Sequence, residues 1–410
     1  MLADRLFSRV IRKGNLTVVF SNGESHTYGD GQGVPITLRV HDKATERRIA
    51  LNPKLAFGEA YMDGRLTVEQ GSLLELLCLC LDNLEEAEVG PFLQFVEAVR
   101  TPLRYLHGLN PIWRSRRNVA HHYDLSDDLY DLFLDDDRQY SCAYFRSADD
   151  DLETAQANKK RHLAAKLLLD RPELSVLDIG SGWGGLGLHL AKSAGVKVTG
   201  VTLSTEQHQR SRERAEDSGL AKQVDFRLQD YRTLDERFDR IVSVGMFEHV
   251  GPAHYREYFG KVRDLLTDDG VAVVHSIGGA GPPAGQNPWI RKYIFPGGYT
   301  PSLSEVMRAI EREGLWVTDI EIWRLHYAET LKHWHERFMA NREQAKALYD
   351  ERFCRMWEFY LAGCEASFRA GHQMVFQVQL AKRRDSVPLT RDYIYASDKP
   401  VTERVMQAAE

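Results

Sequence analysis

A short apolar strand, Ser175 to Ile179, runs directly into Gly180-Ser181-Gly182-Trp183-Gly184-Gly185, and a helical pattern follows to about Ala194. No other feature limits the fold as tightly. Glycines at such a junction let the backbone turn sharply and let a ligand approach the main chain. Further short apolar runs follow at Val196 to Val201, Val224 to Leu228, Ile241 to Val244 and Val271 to His275, with helical stretches between them. Strands alternating with helices imply an α/β unit, a mostly parallel sheet with helices on both faces.

Two ligands compete for the glycine loop. Gly180, Gly182 and Gly184 give G-x-G-x-G, and Gly185 also completes the dinucleotide pattern G-x-G-x-x-G. A dinucleotide site wants an acid at the end of the next strand, roughly 20 residues on. That position reads Gly200-Val201-Thr202-Leu203-Ser204, with no acid. Asp178 lies inside the strand, where a carboxylate can order the loop or face a cationic ligand. Gln229-Asp230-Tyr231 follows the third strand, where an acid can accept from an adenine amino group and an aromatic can stack on its ring. These features favour S-adenosylmethionine over a nicotinamide cofactor.

The chain's 410 residues exceed one average domain. Residues 1–105 predict a small α+β module, with strands at Asn15 to Phe20 and Ile36 to Val40, a turn at Asn22-Gly23 and a helix at Ser72 to Leu81. Residues 106–120 form a basic linker carrying Trp113, Arg114, Arg116 and Arg117, and residues 121–410 form the catalytic domain. A net charge of -6 argues against a dedicated nucleic-acid binder. Cysteines at 78, 80, 142, 354 and 364 have no disulfide or zinc-site spacing, which suits a reduced, cytoplasmic protein. No metal site is expected. Neither Met1 to Gly14 nor Leu73 to Leu81 is a signal peptide or a bilayer span, so membrane contact is expected to be peripheral.

Several longer strings point one way. They are Tyr140-Ser141-Cys142-Ala143-Tyr144-Phe145, Val176 to Gly185, Gly200 to Ser204, Gln229-Asp230-Tyr231 and Ser243 to Gly251. Further on come His275-Ser276-Ile277-Gly278, Trp289 to Gly298 and Glu336-Arg337-Phe338. Together, from about Asn118 to about Arg384, the chain resembles cyclopropane-fatty-acyl-phospholipid synthases, and its N-terminal module resembles the one bacterial members carry. The resemblance implies a seven-stranded methyltransferase sheet. It also implies transfer of a methylene from S-adenosylmethionine to a cis double bond of an unsaturated phospholipid acyl chain at the inner face of the membrane.

Attack of an alkene on a sulfonium methyl leaves a carbocation that water would trap, so a dry aromatic pocket is needed. Candidates for its wall are Tyr140, Tyr144, Phe145, Phe247, Tyr293, Phe295 and Tyr327. Family members resemble enzymes that bind a bicarbonate ion as base, and the residues that would hold it map to Cys142, Glu248, His275, Ile277 and Tyr327. Backbone N–H groups of Cys142 and Ile277, the Tyr327 hydroxyl and a His275 ring N–H would donate. Glu248 would accept the bicarbonate proton and orient His275. Cys364 corresponds to a cysteine assigned to the family's active site, although a thiolate has no clear role here. The resemblance sets Tyr140 and Ser141 over the methionine part of the cofactor and Gly180, Gly182 and Gly184 under it. Thr202 and Gln207 would reach the ribose and carboxylate, and Gln229, Asp230 and Tyr231 the adenine. His249 is expected to point the other way or to cap a helix.

Gly278 to Thr300 carries Trp289, Ile290, Tyr293, Ile294 and Phe295 beside Arg291 and Lys292, a pattern suited to a cover that touches the membrane. The N-terminal module is a candidate for holding lipid or for pairing two copies into a homodimer. A fatty-acid C-methyltransferase leaving a branched chain is the close rival, and a non-catalytic lipid-binding protein the distant one.

Overall fold

The chain was analysed as a computed structural model that describes residues 2–86 and 126–396. The basic linker therefore lies outside the described residues. Four strands, β1 (Asn15–Val19), β2 (Ser25–Tyr28), β3 (Pro35–Val40) and β4 (Leu66–Gln70), form the N-terminal sheet in the order β2-β1-β3-β4. Alternation of buried Leu16 and Val18 with half-buried neighbours gives β1 one core-facing side. Helices Leu2–Val10, Lys43–Leu51, Pro53–Met62 and Leu73–Glu86 close that core, and Cys80 packs against it as an apolar residue.

The second sheet contains β5 (Ser175–Ile179), β6 (Lys197–Thr202), β7 (Val224–Leu228), β8 (Phe238–Val244), β9 (Leu266–Gly279), β10 (Trp316–Trp323) and β11 (Gln373–Ala381). Its order is β10-β11-β9-β8-β5-β6-β7, and β11 alone runs antiparallel to its neighbours. This is the expected α/β class, seven strands and mostly parallel. β5 and β7 end where the sequence places them. β8 and β9 are longer than expected because Phe238 and Arg240 pair with Leu266 and Val271 across a register shift, and Ser276 to Gly279 pair with β11. The strand order reverses on either side of β5, and at such a switch point the carboxyl ends of the strands open a crevice.

Helices Leu152–Lys166, His326–Ala340 and Glu351–Arg369 build an aromatic cluster beside that crevice, with Trp323, Trp334 and Trp357 each at most 1% exposed. The same cluster takes in Met62 and Trp289, and thereby joins the N-terminal module to the catalytic unit. The expected membrane-touching cover is corrected here. Trp289 is 2% exposed, its Nε1 donates to Met62 Sδ at 3.2 Å, and its ring meets Phe359 edge-on at 4.7 Å. Lys292 and Tyr293 both donate to Glu59 Oε1, at 2.7 and 2.9 Å. Trp289, Lys292 and Tyr293, three of the groups that suggested lipid contact, fasten the two modules together instead. Trp289→Ala should cost about 3 kcal/mol of stability through the cavity it leaves, read as a lowered denaturation midpoint.

Candidate active site

The crevice is built first by its glycines. Gly180 and Gly182 adopt φ of +84° and +54°, and a Cβ on Gly180 would sit 2.8 Å from the Met246 Cβ. The N–H groups of Gly180 and Ser181 donate to Val201 O at 2.9 and 3.0 Å, tying the loop to β6. Of the expected cofactor residues, Tyr140, Ser141, Asp178, Gly180, Gly182, Thr202, Gln207, Gln229, Asp230 and Tyr231 line this one cleft. Gly184 does not. Its Cβ would strike Phe226 Cζ at 2.6 Å and Ser211 Cβ at 2.9 Å, so it serves helix–sheet packing as the N-cap of helix Gly185–Ala194.

Asp230 also departs from expectation. Its Oδ1 accepts from the Arg232 N–H and Nε, and its Oδ2 from Arg232 Nη2 at 2.7 Å. The carboxylate is tied back to its own turn, although Oδ2 keeps a lone pair for an adenine amino group. Thr202 Oγ1 donates to Gln207 Oε1 at 3.0 Å, which fixes the amide in the cleft wall. His249, expected to point the other way or to cap a helix, lines the cleft, and burial lowers its pKa to about 4. It lies in the short turn Phe247–His249 after β8, where strand alternation no longer sets direction.

Two buried polar atoms in this wall, Asp178 Oδ2 and Ser181 Oγ, have no hydrogen-bond partner. Burial pushes the Asp178 carboxyl up to about 7. An unmet acceptor of this kind fits a ligand bearing an ammonium group, as the amino-acid end of S-adenosylmethionine does.

A second compartment, a packed aromatic cluster that shares Tyr140 and Trp183 with the cleft, adjoins the first. Cys142, Tyr327 and Ile277 share the aromatic cluster with Trp183 and Trp334. The Ala143 N–H donates to Thr330 Oγ1 at 3.0 Å, and Thr330 sits one turn beyond Tyr327, so Cys142 is held against that helix. His275 lies opposite Gln377 in the β9–β11 register. The Gln377 Nε2 meets His275 Nδ1 at 3.0 Å, and with the amide donating, the ring proton sits on Nε2. Burial, with Lys159 and Lys166 nearby, holds the His275 pKa well below its ordinary value, so the ring is neutral at pH 7.

Three corrections follow. Glu248 Oε1 accepts the Ile277 N–H at 2.7 Å, so that donor is already committed. Gln377, not Glu248, orients His275. Phe247 packs against Tyr255, Tyr258 and Phe259 and so does not wall the compartment, whereas Tyr293 packs against the aromatic cluster while its hydroxyl reaches Glu59. Tyr140, by contrast, stacks on Trp334 at 5.2 Å with its hydroxyl 2.8 Å from that of Tyr360. Tyr144 stacks on both His162 and Trp323, and Phe145 on His333.

Glu248 Oε2 is buried without a partner, and burial pushes its pKa up to about 7. That orphan acceptor, held to β9 two residues from the neutral His275, fits a small protonated oxyanion such as bicarbonate. Cys364 is half-buried, and burial pushes its thiol up to about 12, which leaves too little thiolate for a nucleophile.

Sequence reasoning missed the helix behind the cleft. Gln156 Nε2 donates to the carbonyls of Gln139 and Ser141, and Lys159 Nζ to Gln139 Oε1 and Ser141 Oγ. The signal was present: Gln156, Lys159, His162 and Lys166 occupy the buried stripe of helix Leu152–Lys166 at helical spacing, where apolar residues belong.

Known proteins resemble this chain in sequence and fold. Residues 112–378 match the family model described as mycolic acid cyclopropane synthetase, and residues 2–87 match a domain of unknown function. A probable fatty acid methyltransferase of Pseudomonas putida is 40% identical over 89% of this chain and 93% of its own length. The cyclopropane-fatty-acyl-phospholipid synthase of Escherichia coli is 38% identical over 85% of this chain and 88% of its own. The crystal structure of a mycolic acid cyclopropane synthase complexed with SAH (S-adenosylhomocysteine) and CTAB superposes with a TM-score of 0.62. It is 36% identical, covering 66% of this chain and 99% of that one.

Proposed function

Because the chain belongs to the mycolic acid cyclopropane synthetase family, we propose that it is a cyclopropane fatty acid synthase acting on the cis double bond of an unsaturated phospholipid acyl chain. It is an S-adenosylmethionine-dependent methyltransferase. When bound, S-adenosylmethionine supplies a methyl carbon made electrophilic by its sulfonium. The π electrons of the lipid alkene would form the new carbon–carbon bond as the sulfur–methyl bond breaks, S-adenosylhomocysteine would leave with that bond's electron pair, and a cation would remain on the acyl chain. The faces of Tyr140, Trp334 and Tyr327 exclude water and hold that cation, at about 0.5–2 kcal/mol for each ring. A proton then leaves the new methyl group and the freed electron pair closes the ring. In this reading a bound bicarbonate supplies the base. The Cys142 N–H, the Tyr327 hydroxyl and His275 Nε2–H would donate to it, and Glu248 Oε2 would accept its hydroxyl proton.

The observation that supports ring closure is the buried Glu248 Oε2, which accepts no hydrogen bond while Oε1 holds the Ile277 N–H. The test incubates the protein with unsaturated phosphatidylethanolamine vesicles and labelled S-adenosylmethionine, then separates the released fatty esters by gas chromatography. A gain of one methylene with loss of the alkene supports the reading; a methyl-branched product gives the alternative. That alternative, a fatty-acid C-methyltransferase, is favoured by the name of the 40% identical relative from Pseudomonas putida. No described helix is long and apolar enough to cross a membrane. The proposal has the protein meet its lipid from the cytoplasm at the inner membrane face, as two copies paired through the N-terminal modules.

Asp178 gives a pH prediction. Its pKa in the free protein is about 7, and a ligand ammonium favours the ionised carboxylate. SAH affinity should therefore rise as the pH climbs toward 7 and level off above it. Titration calorimetry at several pH values would show the slope, and Asp178→Asn should flatten it.

A further inference from the structure

Lys159 is a fully buried cation with an incomplete set of partners. Its side chain is 0% exposed, at the middle of helix Leu152–Lys166. Neighbouring lysines on that helix meet carboxylates: Lys160 pairs with Asp137, and Lys166 lies 2.5 Å from Glu321. Lys159 instead donates to two neutral oxygens, Gln139 Oε1 and Ser141 Oγ, both at 2.8 Å. An ammonium has three donors, so one is left over. Among the described residues no carboxylate forms an ion pair with it.

Asp135 and Asp137 lie near enough to favour its charge, but neither carboxylate pairs with it directly. From the segment after helix Asp127–Asp131 come Asp135, whose carboxyl burial raises, and Asp137, which is held ionised by Lys160 and Arg214. Cys142 presents a buried thiol, β5 presents Asp178 and β9 presents His275, a neutral ring. Lys160 adds a like charge. A buried ammonium with no carboxylate in contact is costly, and an anion at its free N–H offsets that cost. Gln139 and Ser141, the two residues Lys159 holds, both line the cofactor cleft, and Cys142 next to them belongs to the second compartment.

We propose that Lys159 is the cation that binds a planar carboxylate-type oxyanion at the junction of the two compartments. The oxyanion is either the methionine carboxylate of the cofactor or a free bicarbonate. The second source rests on the base proposed above; the first does not. In both, the third Nζ–H is the donor, and Ser141 is set by the same ammonium. A charge-assisted bond of this kind corresponds to roughly tenfold or more in affinity.

The test compares the unaltered protein with Lys159→Met. Calorimetry measures affinity for SAH and for its decarboxylated analogue, and turnover is followed against bicarbonate concentration. Loss of about tenfold in SAH affinity, with the analogue unaffected, assigns the oxyanion to the cofactor. Unchanged SAH affinity, with half-saturating bicarbonate raised about tenfold, assigns it to the free ion. Equal weakening of SAH and analogue, or no change in either measurement, overturns the proposal and leaves Lys159 a structural post. A parent enzyme indifferent to bicarbonate defeats the proposed base but leaves the cofactor arm decisive. Should the variant not fold, the unaltered protein still decides. Burial lowers the Lys159 pKa to about 8. The affinity gap between SAH and its analogue should therefore narrow, or half-saturating bicarbonate rise, as the pH climbs above 8. Flat behaviour of both from about pH 7 to 9.5 overturns the proposal.

Discussion

Glu248→Gln is expected to lower turnover by about a hundredfold or more while SAH affinity stays within about threefold. The substitution keeps size and shape. A glutamine Oε1 can still accept the Ile277 N–H that glutamate holds at 2.7 Å, so the end of β9 keeps its place. What changes is the second oxygen, which is buried and unpartnered in the free protein. An amide NH₂ there donates where the proposed chemistry needs an acceptor, and repels the hydroxyl of a bound bicarbonate. Glu248 is not among the residues that line the cofactor cleft, so SAH binding is insulated. Stability separates this account from a folding defect. Burial raises the folded pKa from 4.5 to about 7. A raised acid favours folding in its protonated form, so its contribution is full below about pH 4.5 and is lost as the pH rises through 7. At pH 8 the parent carries a buried charge that the variant lacks. Glu248→Gln should therefore melt no lower than the parent at pH 8 while being nearly inactive; a lower melting point with proportionate loss of SAH binding would sink the assignment.

The parts of the molecule legible in the sequence are those set by neighbours along the chain. β5, its glycine turn and the following helix are local: an apolar run, residues that tolerate positive φ, and a helical repeat. The expected cofactor residues flank such turns, and all but Gly184 reach the cleft. β10 and β11 were not legible, because their polar residues Glu321, Gln377 and Gln379 face partners far away in sequence. Trp289 was misread for the same reason. Aromatics beside cations suit a membrane surface or a junction between modules equally well, and only the position of Gly58, whose Cβ would fall 2.6 Å from the indole, decides. Lys159 carried a readable signal as a lysine on a buried stripe, but its two acceptors lie 18 and 20 positions away.

The glycine loop should fail in two different ways at two of its positions. Gly184→Val is expected to cost about 4–6 kcal/mol, enough to prevent folded protein from accumulating. A β-branched residue at φ +83° is strained by about 2–3 kcal/mol, and its Cβ would lie 2.6 Å from Phe226 and 2.9 Å from Ser211. Phe226 is 4% exposed in the core of β7 and Ser211 is fully buried, so neither can withdraw without opening a cavity. At Gly182 the surroundings differ: nothing lies within 4 Å of the Cβ position, and φ is +54°. Gly182→Ala should therefore lower stability by only about 1–2 kcal/mol, the left-handed strain of one alanine. Its methyl group would stand in the cleft wall, where the main chain has to approach the cofactor, so SAH affinity should fall about tenfold or more. Urea denaturation and calorimetry on the two variants give opposite signatures, one a lost fold and the other a lost ligand. If Gly182→Ala bound SAH normally, the cofactor would not lie against this turn; if Gly184→Val remained stable, helix Gly185–Ala194 would not be packed on β7 as described.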